Sequence, residues 1–540
     1  MYRNSLTLRL KHFWLQHEWV GYVLIFFIAA LAFTWWIAAP TFSDPDSFYH
    51  LKIADIMIKK RIAIVDFPWL QYTTLTQFYV DHHLLYHVYL IPFVLLFNPI
   101  VGMKVATVLL AASTITLFYY LLRSQQVRYG FLFSILLLST NGFAFRMALS
   151  KAPSVGFLFL IGGFILILKN KIKPLILLSF FFVWAYGGFL LLPIVAFIYN
   201  AVGVFTAFQK EKKFPAPKAL FHHFHHTIAI TGGIIVGLLI HPSFPTHFTF
   251  YWQQIFQIGL VNYQDMIGVG GEWYPTEFSQ LLTSPLLLTS LIIMALVAFV
   301  LTRQKQTQAS KTALIMTVIF FVFTLKSKRY IEYYIPWGFL FAALSLHASG
   351  ILDRYRSILR AVRKGWNGDS FAKAITVLAV LYVTVMIPGI MVTDASRLTT
   401  ELHAGIPVDR YQKVGNWLKE HSTKGDIIFH NDWDDFPPLF YNAARDRFIV
   451  GLDPTFMYNY NPELYHTWVD ITRGDKSDNL LEVIQGDFQA RFVLVDDDHK
   501  QMKRNIIADG RFKKVYQDNE VTLFRVPRKQ QQLIEDQQPQ

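Results

Sequence analysis

The chain reads as a polytopic α-helical membrane domain of about 11 to 13 spans followed by a C-terminal extracytoplasmic α/β domain. Three observations lead there. Of its 540 residues 53% are apolar and only 16% charged, whereas an ordinary soluble protein carries about a quarter charged residues. Apolar runs near the roughly 20 residues that a helix needs to cross a bilayer recur along the first part and stop near Val392. Residues 1–392 hold 31 Lys+Arg against 13 Asp+Glu, and residues 393–540 hold 19 against 24, so the net charges are +18 and −5. The two parts face different solvents.

The domains are therefore 1–392, transmembrane, 393–527, extracytoplasmic α/β, and 528–540, a polar disordered tail. Eleven crossings fall at 20–39, 101–122, 129–146, 153–168, 174–186, 189–205, 227–241, 283–301, 312–325, 331–350 and 374–392. The first is too long for a signal-peptide core and lacks a small-residue cleavage site before Pro40. With Arg3, Arg9 and Lys11 inside, every inner loop is basic, from Arg123–Arg128 to Arg354–Lys373. Basic residues confined to short loops mark membrane topology and exclude nucleic acid as the partner. Leu84–Phe97 is taken as outer-face or re-entrant; as a full span it would invert every later loop. The tail alternates strand-like and helix-like stretches: 408–420, 426–430, 437–443, 478–487, 492–496 and 521–526. With no Cys, a disulfide, a thiolate metal site and a Cys nucleophile are all excluded.

Nine of the 13 acidic residues in the membrane part fall on the outer face in this topology, which places any chemistry there. Four clusters qualify. Ser43-Asp44-Pro45-Asp46 follows the first span, and two carboxylates about a proline turn can hold a hard divalent cation. Asp46 would equally serve as the N-cap of a helix from Ser47 to Lys60. Gly270-Gly271-Glu272-Trp273-Tyr274-Pro275 presents a carboxylate among aromatics on a mobile approach, or forms an interfacial aromatic belt. Lys326, Lys328 and Arg329 make an outer basic knot that suits a phosphate or an anionic headgroup. Asn431-Asp432-Trp433-Asp434-Asp435 follows a strand, where ligands collect in α/β folds, or is a plain strand-to-helix loop capped by Asp435. His222, His223, His225 and His226 form an inner interfacial turn, and Asp81, His82, His83 and His87 a polar patch about a buried acid. Arg146 is the main charged residue deep in a span.

In their order along the chain the four clusters resemble the catalytic subunit of oligosaccharyltransferases, within the C-type superfamily of membrane glycosyltransferases. Asp46-Ser47-Phe48-Tyr49-His50 resembles that family's acidic motif after the first span, Glu272-Trp273-Tyr274-Pro275 the end of its outer-loop motif, and Arg329 its pyrophosphate-holding arginine. Trp433-Asp434 resembles a degraded WWDYG. Two departures stand out. The second acidic motif reads Arg146-Met147-Ala148-Leu149-Ser150-Lys151, without an acid, and Asn-Asp-Trp-Asp-Asp replaces WWDYG.

The resemblance implies an inverting, metal-assisted transfer of a sugar or oligosaccharide from a polyprenyl-linked donor to a protein acceptor, at the outer face of the plasma membrane. Asp46 and Glu272 are then catalytic, and Asp44, Asp46 and Glu272 bind Mg or Mn. Lys326, Lys328 and Arg329 take the donor phosphate, and Asp432, Trp433 and Asp434 the acceptor. Two alternatives stay open: a polyprenyl-monophosphate-sugar transferase acting on a lipid, glycan or hydroxyl acceptor, and a lipid-phosphate transporter. Charged residues deep in spans, which transporters favour, are few here.

Overall fold

The computed structural model describes residues 18–213, 216–352 and 355–528. Arg3, Arg9, Lys11, Arg354 and the tail beyond Arg528 lie outside the described residues. The chain forms two units, the first of Met1–Ala39, Lys104–Ile240 and Glu272–Ala404, the second of Pro40–Met103, His241–Gly271 and Gly405–Gln540.

Among the described residues, five helices are long and apolar enough to cross a membrane: Glu18–Ile37, Pro99–Ser124, Gly187–Glu211, Gln308–Lys326 and Ser370–His403. Gly130–Leu138 and Asn141–Ala148 would make a sixth, bent by 72°. Leu84–Leu96, Pro153–Leu168, Ile172–Ala185, His225–Leu239 and Leu286–Leu301 are apolar but shorter. A count of 11 to 13 thus depends on reading these short helices as spans too.

The expected single span 129–146 is broken. Ser139 and Thr140 both turn their hydroxyls back to the Leu136 carbonyl, at 3.0 and 2.9 Å. Thr140 takes extended backbone, and Asn141 Nδ2 donates to Glu401 at 3.2 Å. Hydroxyl back-bonding and an inserted polar partner are the usual causes of a sharp kink. The second half of the broken helix carries Arg146.

At the centre of the first unit runs Ile331–Ala348, buried at every position from Glu332 to Leu346. A helix apolar on all sides belongs in a core, and this one packs on Gln308–Lys326 and Leu286–Leu301. Ile172–Ala185 packs on His225–Leu239 through Gly233 and Gly237, where an added Cβ would lie 2.4 Å from the Ile176 oxygen and 2.8 Å from that of Phe180. Trp184 Nε1 donates to the Gly237 carbonyl at 2.9 Å. Close backbone approach at glycines spaced by four is how apolar helices associate without a hydrophobic driving force.

The helix that ends at His403 runs on past residue 392. The apolar run stops there, but Asp394, Leu398 and Leu402 continue a buried stripe at a spacing of four. The helix therefore persists until Ala404, where the first unit ends.

In the second unit β1 (Thr41–Phe42) pairs antiparallel with β2 (Ile406–Pro407). Gly405 sits so close that a Cβ would lie 2.3 Å from the Phe42 oxygen, which reserves the position for glycine. β3 (Ile427–His430), β4 (Arg447–Phe448), β5 (Ala490–Asp496), β6 (Lys513–Gln517) and β7 (Val521–Arg525) form a mixed sheet in the order β4-β3-β5-β7-β6. β3 is parallel to β4 and β5, and β7 antiparallel to β5 and β6. The apolar runs of β3 and β5 are buried almost throughout, as in strands covered on both faces. Residues 69–71 close the β4 edge: the Phe448 N–H donates to Trp69 O at 2.7 Å and the Gln71 N–H to Phe448 O at 2.8 Å.

Candidate functional site

The densest buried charge cluster lies in the first unit. Glu272 sits on the short turn Gly271–Trp273, and Arg329 on the turn Lys328–Tyr330 that opens the central helix. Two bonds hold these turns together: Ser327 Oγ donates to the Glu272 carbonyl at 2.9 Å, and the Lys328 N–H to the Tyr274 carbonyl at 3.0 Å. Arg329 Nη1 then meets Glu272 Oε1 at 2.6 Å, and its guanidinium lies 4.7 Å from the Trp273 ring centroid.

Arg146 closes the cluster from the broken helix. Its Nη1 donates to Glu272 Oε2 at 2.5 Å and its Nε to Glu332 Oε2 at 2.7 Å. Tyr186 bridges the far side, its hydroxyl 3.5 Å from Glu332 Oε1 and accepting from Arg329 Nη2 at 3.4 Å. Arg146 is 6% exposed and Glu332 2%; charges so buried are tolerated only when paired. Burial alone would raise the Glu272 carboxyl, but Arg329 and Arg146 outweigh it and hold the group well below the usual carboxylate range.

The structure therefore brings Glu272 and Arg329 together and adds Arg146, Glu332 and Tyr186. Arg146 was legible in the sequence as a charge deep in a span; its partners were not. The basic knot divides, with Arg329 half-buried in the cluster and Lys326 and Lys328 exposed. Both oxygens of Glu272, expected as a metal ligand, accept guanidinium donors in this arrangement.

Asp44 and Asp46 lie in the second unit, both half-buried. Asp46 is the first residue of the helix Asp46–Lys60 rather than its cap, and its own N–H donates to Asp44 Oδ1 at 3.0 Å. One turn on, His50 joins a buried chain: Asp81 Oδ1 lies 2.8 Å from His87 Nδ1, and His87 Nε2 lies 2.8 Å from His50 Nδ1. The polar patch about a buried acid is thus an ordered Asp–His–His series. Among the described residues no group of three or more His, Asp or Glu is arranged to hold a metal ion.

Asp432, Trp433 and Asp434 form a short turn after β3, with Asp432 Oδ1 accepting from the Asp434 N–H at 3.2 Å. Asp435 beside them is buried. It accepts from the Tyr411 hydroxyl at 2.5 Å and from Asn431 Nδ2 at 3.0 Å. Burial pushes its carboxyl up to about 7; Asp432 and Asp496 add to the rise, and Tyr411 and Arg410 oppose it. His499, bonded to Asp496 at 2.7 Å, is pushed up by that carboxylate. His225 and His226 both meet Asn170 Oδ1, at 2.9 and 3.1 Å, and His226 also meets Asn200.

No family model matches this chain. No curated protein sequence matches it either. Solved structures do. The oligosaccharyltransferase AglB from the archaeon Archaeoglobus fulgidus, in complex with an inhibitory peptide and a dolichol-phosphate, superposes with a TM-score of 0.63 at 12% identity, over 95% of this chain and 75% of that one. The arabinofuranosyltransferase AftD from Mycobacteria gives 0.54 at 11%, over 95% of this chain and 40% of that one. ArnT from Cupriavidus metallidurans, in the apo state, gives 0.51 at 13%, over 94% and 98%. The chain thus has the C-type, oligosaccharyltransferase-like fold that its motifs resemble.

Proposed function

We propose that this chain is a membrane glycosyltransferase that moves a sugar or oligosaccharide from a polyprenyl-linked phosphate donor to a protein acceptor, on the outer face of the plasma membrane. The observation that carries the reading is the Glu272, Arg329 and Arg146 cluster, built on a fold similar to that of an oligosaccharyltransferase solved with dolichol-phosphate.

The donor brings its own leaving group. The acceptor nucleophile attacks the anomeric carbon, the bond to the phosphate oxygen breaks, and the phosphate departs with the electron pair. Arg329 grips that phosphate as its charge develops, and fixed guanidinium donors stabilise such charge without reorganising. Glu272 and Trp273 hold Arg329 in place. Asp46 accepts the nucleophile's proton. Asp44 and Asp46 would hold a divalent cation, and Mg is often held by one or two carboxylates with waters; when bound it would polarise the acceptor. Trp433, Asp432 and Asp434 contact the acceptor.

A second reading is a polyprenyl-monophosphate-sugar transferase acting on a lipid, glycan or hydroxyl group. The replacement of WWDYG favours it. The test is to reconstitute the purified chain and offer labelled polyprenyl pyrophosphate and monophosphate sugars with peptide, glycan and lipid acceptors. Label in a peptide supports the first reading, label in a lipid or glycan the second. Donor crossing the bilayer with its sugar intact refutes both and identifies a transporter.

A further inference from the structure

We infer that a cleft at the amino ends of β3, β4 and β5 binds an anionic carbohydrate, a sugar carrying a phosphate or a carboxylate, through Arg447, Arg491 and Arg528. The site lies within the second unit, at the opposite end of β3 from Asp432, Trp433 and Asp434, and it does not depend on the transferase reading.

The first observation is the cleft itself. It has a volume of about 420 Å³ and is lined by the three arginines, by Gln485 and Gln489, and by one carboxylate, Asp426. That volume falls within the range of small-molecule sites, about 300 to 1,000 Å³.

The second is charge. Three guanidiniums share the cleft with one carboxylate, and among the described residues none of the three is in an ion pair. By contrast Arg511 of the same unit pairs with Glu482 and Asp509, and Arg410 with Glu520. Burial and the charges of Arg528 and Arg525 push the Arg491 guanidinium down, and Asp426 alone opposes them. Like charges gathered in a cleft disfavour one another, and an anion between them relieves that cost.

The third is donor capacity. Each guanidinium carries five N–H groups. Arg447 spends one on Gln71 Oε1 at 3.0 Å and Arg491 one on the Val526 carbonyl at 2.5 Å. The remaining planar forks match the paired oxygens of a phosphate or a carboxylate. Glutamine amides both donate and accept, as sugar hydroxyls do, and Gln485 Nε2 is already tied to the Pro527 carbonyl at 2.7 Å, beside Arg528.

The backbone agrees. Arg491 is the extra residue where the pairing of β3 and β5 shifts, since Ile427 lies opposite Ala490 and Ile428 opposite Phe492. Such bulges re-aim a side chain and are over-represented beside active sites. Gln489, two residues earlier, holds left-handed backbone at φ 47°, a strain that non-glycine residues rarely carry and that gathers at ligand sites.

Calorimetric titration of the full chain in neutral-lipid nanodiscs tests this, with glucose 6-phosphate, glucuronate, glucose and inorganic phosphate as probes. The two anionic sugars should bind at least about tenfold tighter than glucose or phosphate. Arg491→Gln and Arg528→Gln should each weaken glucose 6-phosphate about ten- to a hundredfold. Arg528 is exposed and bonds to no described residue, so its variant keeps the test valid if Arg491→Gln fails to fold. Arg504→Gln, exposed on the helix Lys500–Asp509, should leave binding unchanged.

A folded Arg528→Gln variant that binds within twofold of wild type overturns the inference. So does a wild type that binds neither anionic sugar, or inorganic phosphate that binds as tightly as glucose 6-phosphate, which would make the cleft a bare anion site. If phosphatidylglycerol in the nanodisc abolishes binding, the cleft serves membrane headgroups and the inference also falls. Sugar binding that Arg528→Gln removes, in a chain without any sugar transfer, would refute the proposed function and leave this site standing.

Discussion

Replacing Asp435 by asparagine removes one ionisation from the interior of the α/β sheet region and leaves the side-chain shape almost unchanged. In the folded protein burial pushes this carboxyl up to about 7, against about 3.9 in an unfolded chain. Between those values the folded state keeps a proton that the unfolded state has lost. Stability therefore falls as pH rises, by about 1.4 kcal/mol per pH unit, or on the order of 4 kcal/mol across the window. Asparagine stays neutral at every pH, so Asp435→Asn should abolish that slope. Near pH 4 the variant should lie within about 1 kcal/mol of wild type, the scale of one rearranged hydrogen bond with Tyr411 or Asn431, and by pH 5 the wild type should already have lost about 1.5 kcal/mol against it. By pH 8 it should be the more stable protein. His499, raised mainly by Asp496 and also by Asp435, adds stabilisation that is present below about 6.5 and is lost as pH rises through its folded value, and the variant should keep the part due to Asp496. The assay is hydrogen exchange of the β3 and β5 amides from pH 5 to 8, corrected for intrinsic rates. A stability difference between variant and wild type that stays constant with pH would refute the buried, proton-holding role of Asp435.

Four further outcomes are expected. Arg329→Lys loses the planar fork and its place over Trp273, so donor affinity should fall about ten- to a hundredfold, with a smaller change for Lys326→Arg; titration that finds both within twofold removes the clamp. Asp46→Asn should lose nearly all transfer while the protein still folds, because asparagine keeps the backbone N–H that Asp44 accepts at the start of the helix; retained turnover would make Asp46 merely a helix-start residue. Gly233→Ala forces a methyl to within 2.4 Å of the Ile176 carbonyl and should destabilise by about 1 to 3 kcal/mol, read as a lowered melting temperature. Cysteines at the exposed positions Ser279 and Ser477 should both react with an impermeant reagent from outside; protection of either contradicts the outer-face assignment.

The helices were legible wherever hydrophobicity alone decides. The expected stretches 153–168 and 331–350 are seen as Pro153–Leu168 and Ile331–Ala348, because a run of apolar residues has no other way to satisfy its backbone among other apolar groups. The strand stretches 426–430 and 521–526 match Ile427–His430 and Val521–Arg525 for the similar reason that β-branched and aromatic runs bounded by polar turns favour extended backbone. The same rules missed β6, whose Lys513–Gln517 lacks an apolar face and is held by its pairing with β7. They also missed the break at Thr140, where two hydroxyls compete with the helix ladder.

The sequence by itself determined that this chain is a membrane protein with a polar α/β end, which residue types stand ready for chemistry, and that the stretch beginning at Arg146 carries no acid where one was expected. Composition and local pattern suffice for that, since each of those statements concerns a residue and its near neighbours. Tertiary structure decided the partners. Glu272 meets Arg146, 126 positions away, and Arg329, 57 away, while Lys326 and Lys328 stay at the surface. A buried carboxylate requires a cation, but any of four basic residues would meet that requirement on paper. Only the packing of the central helix and the tie between the two short turns exclude water from one arrangement and so select it.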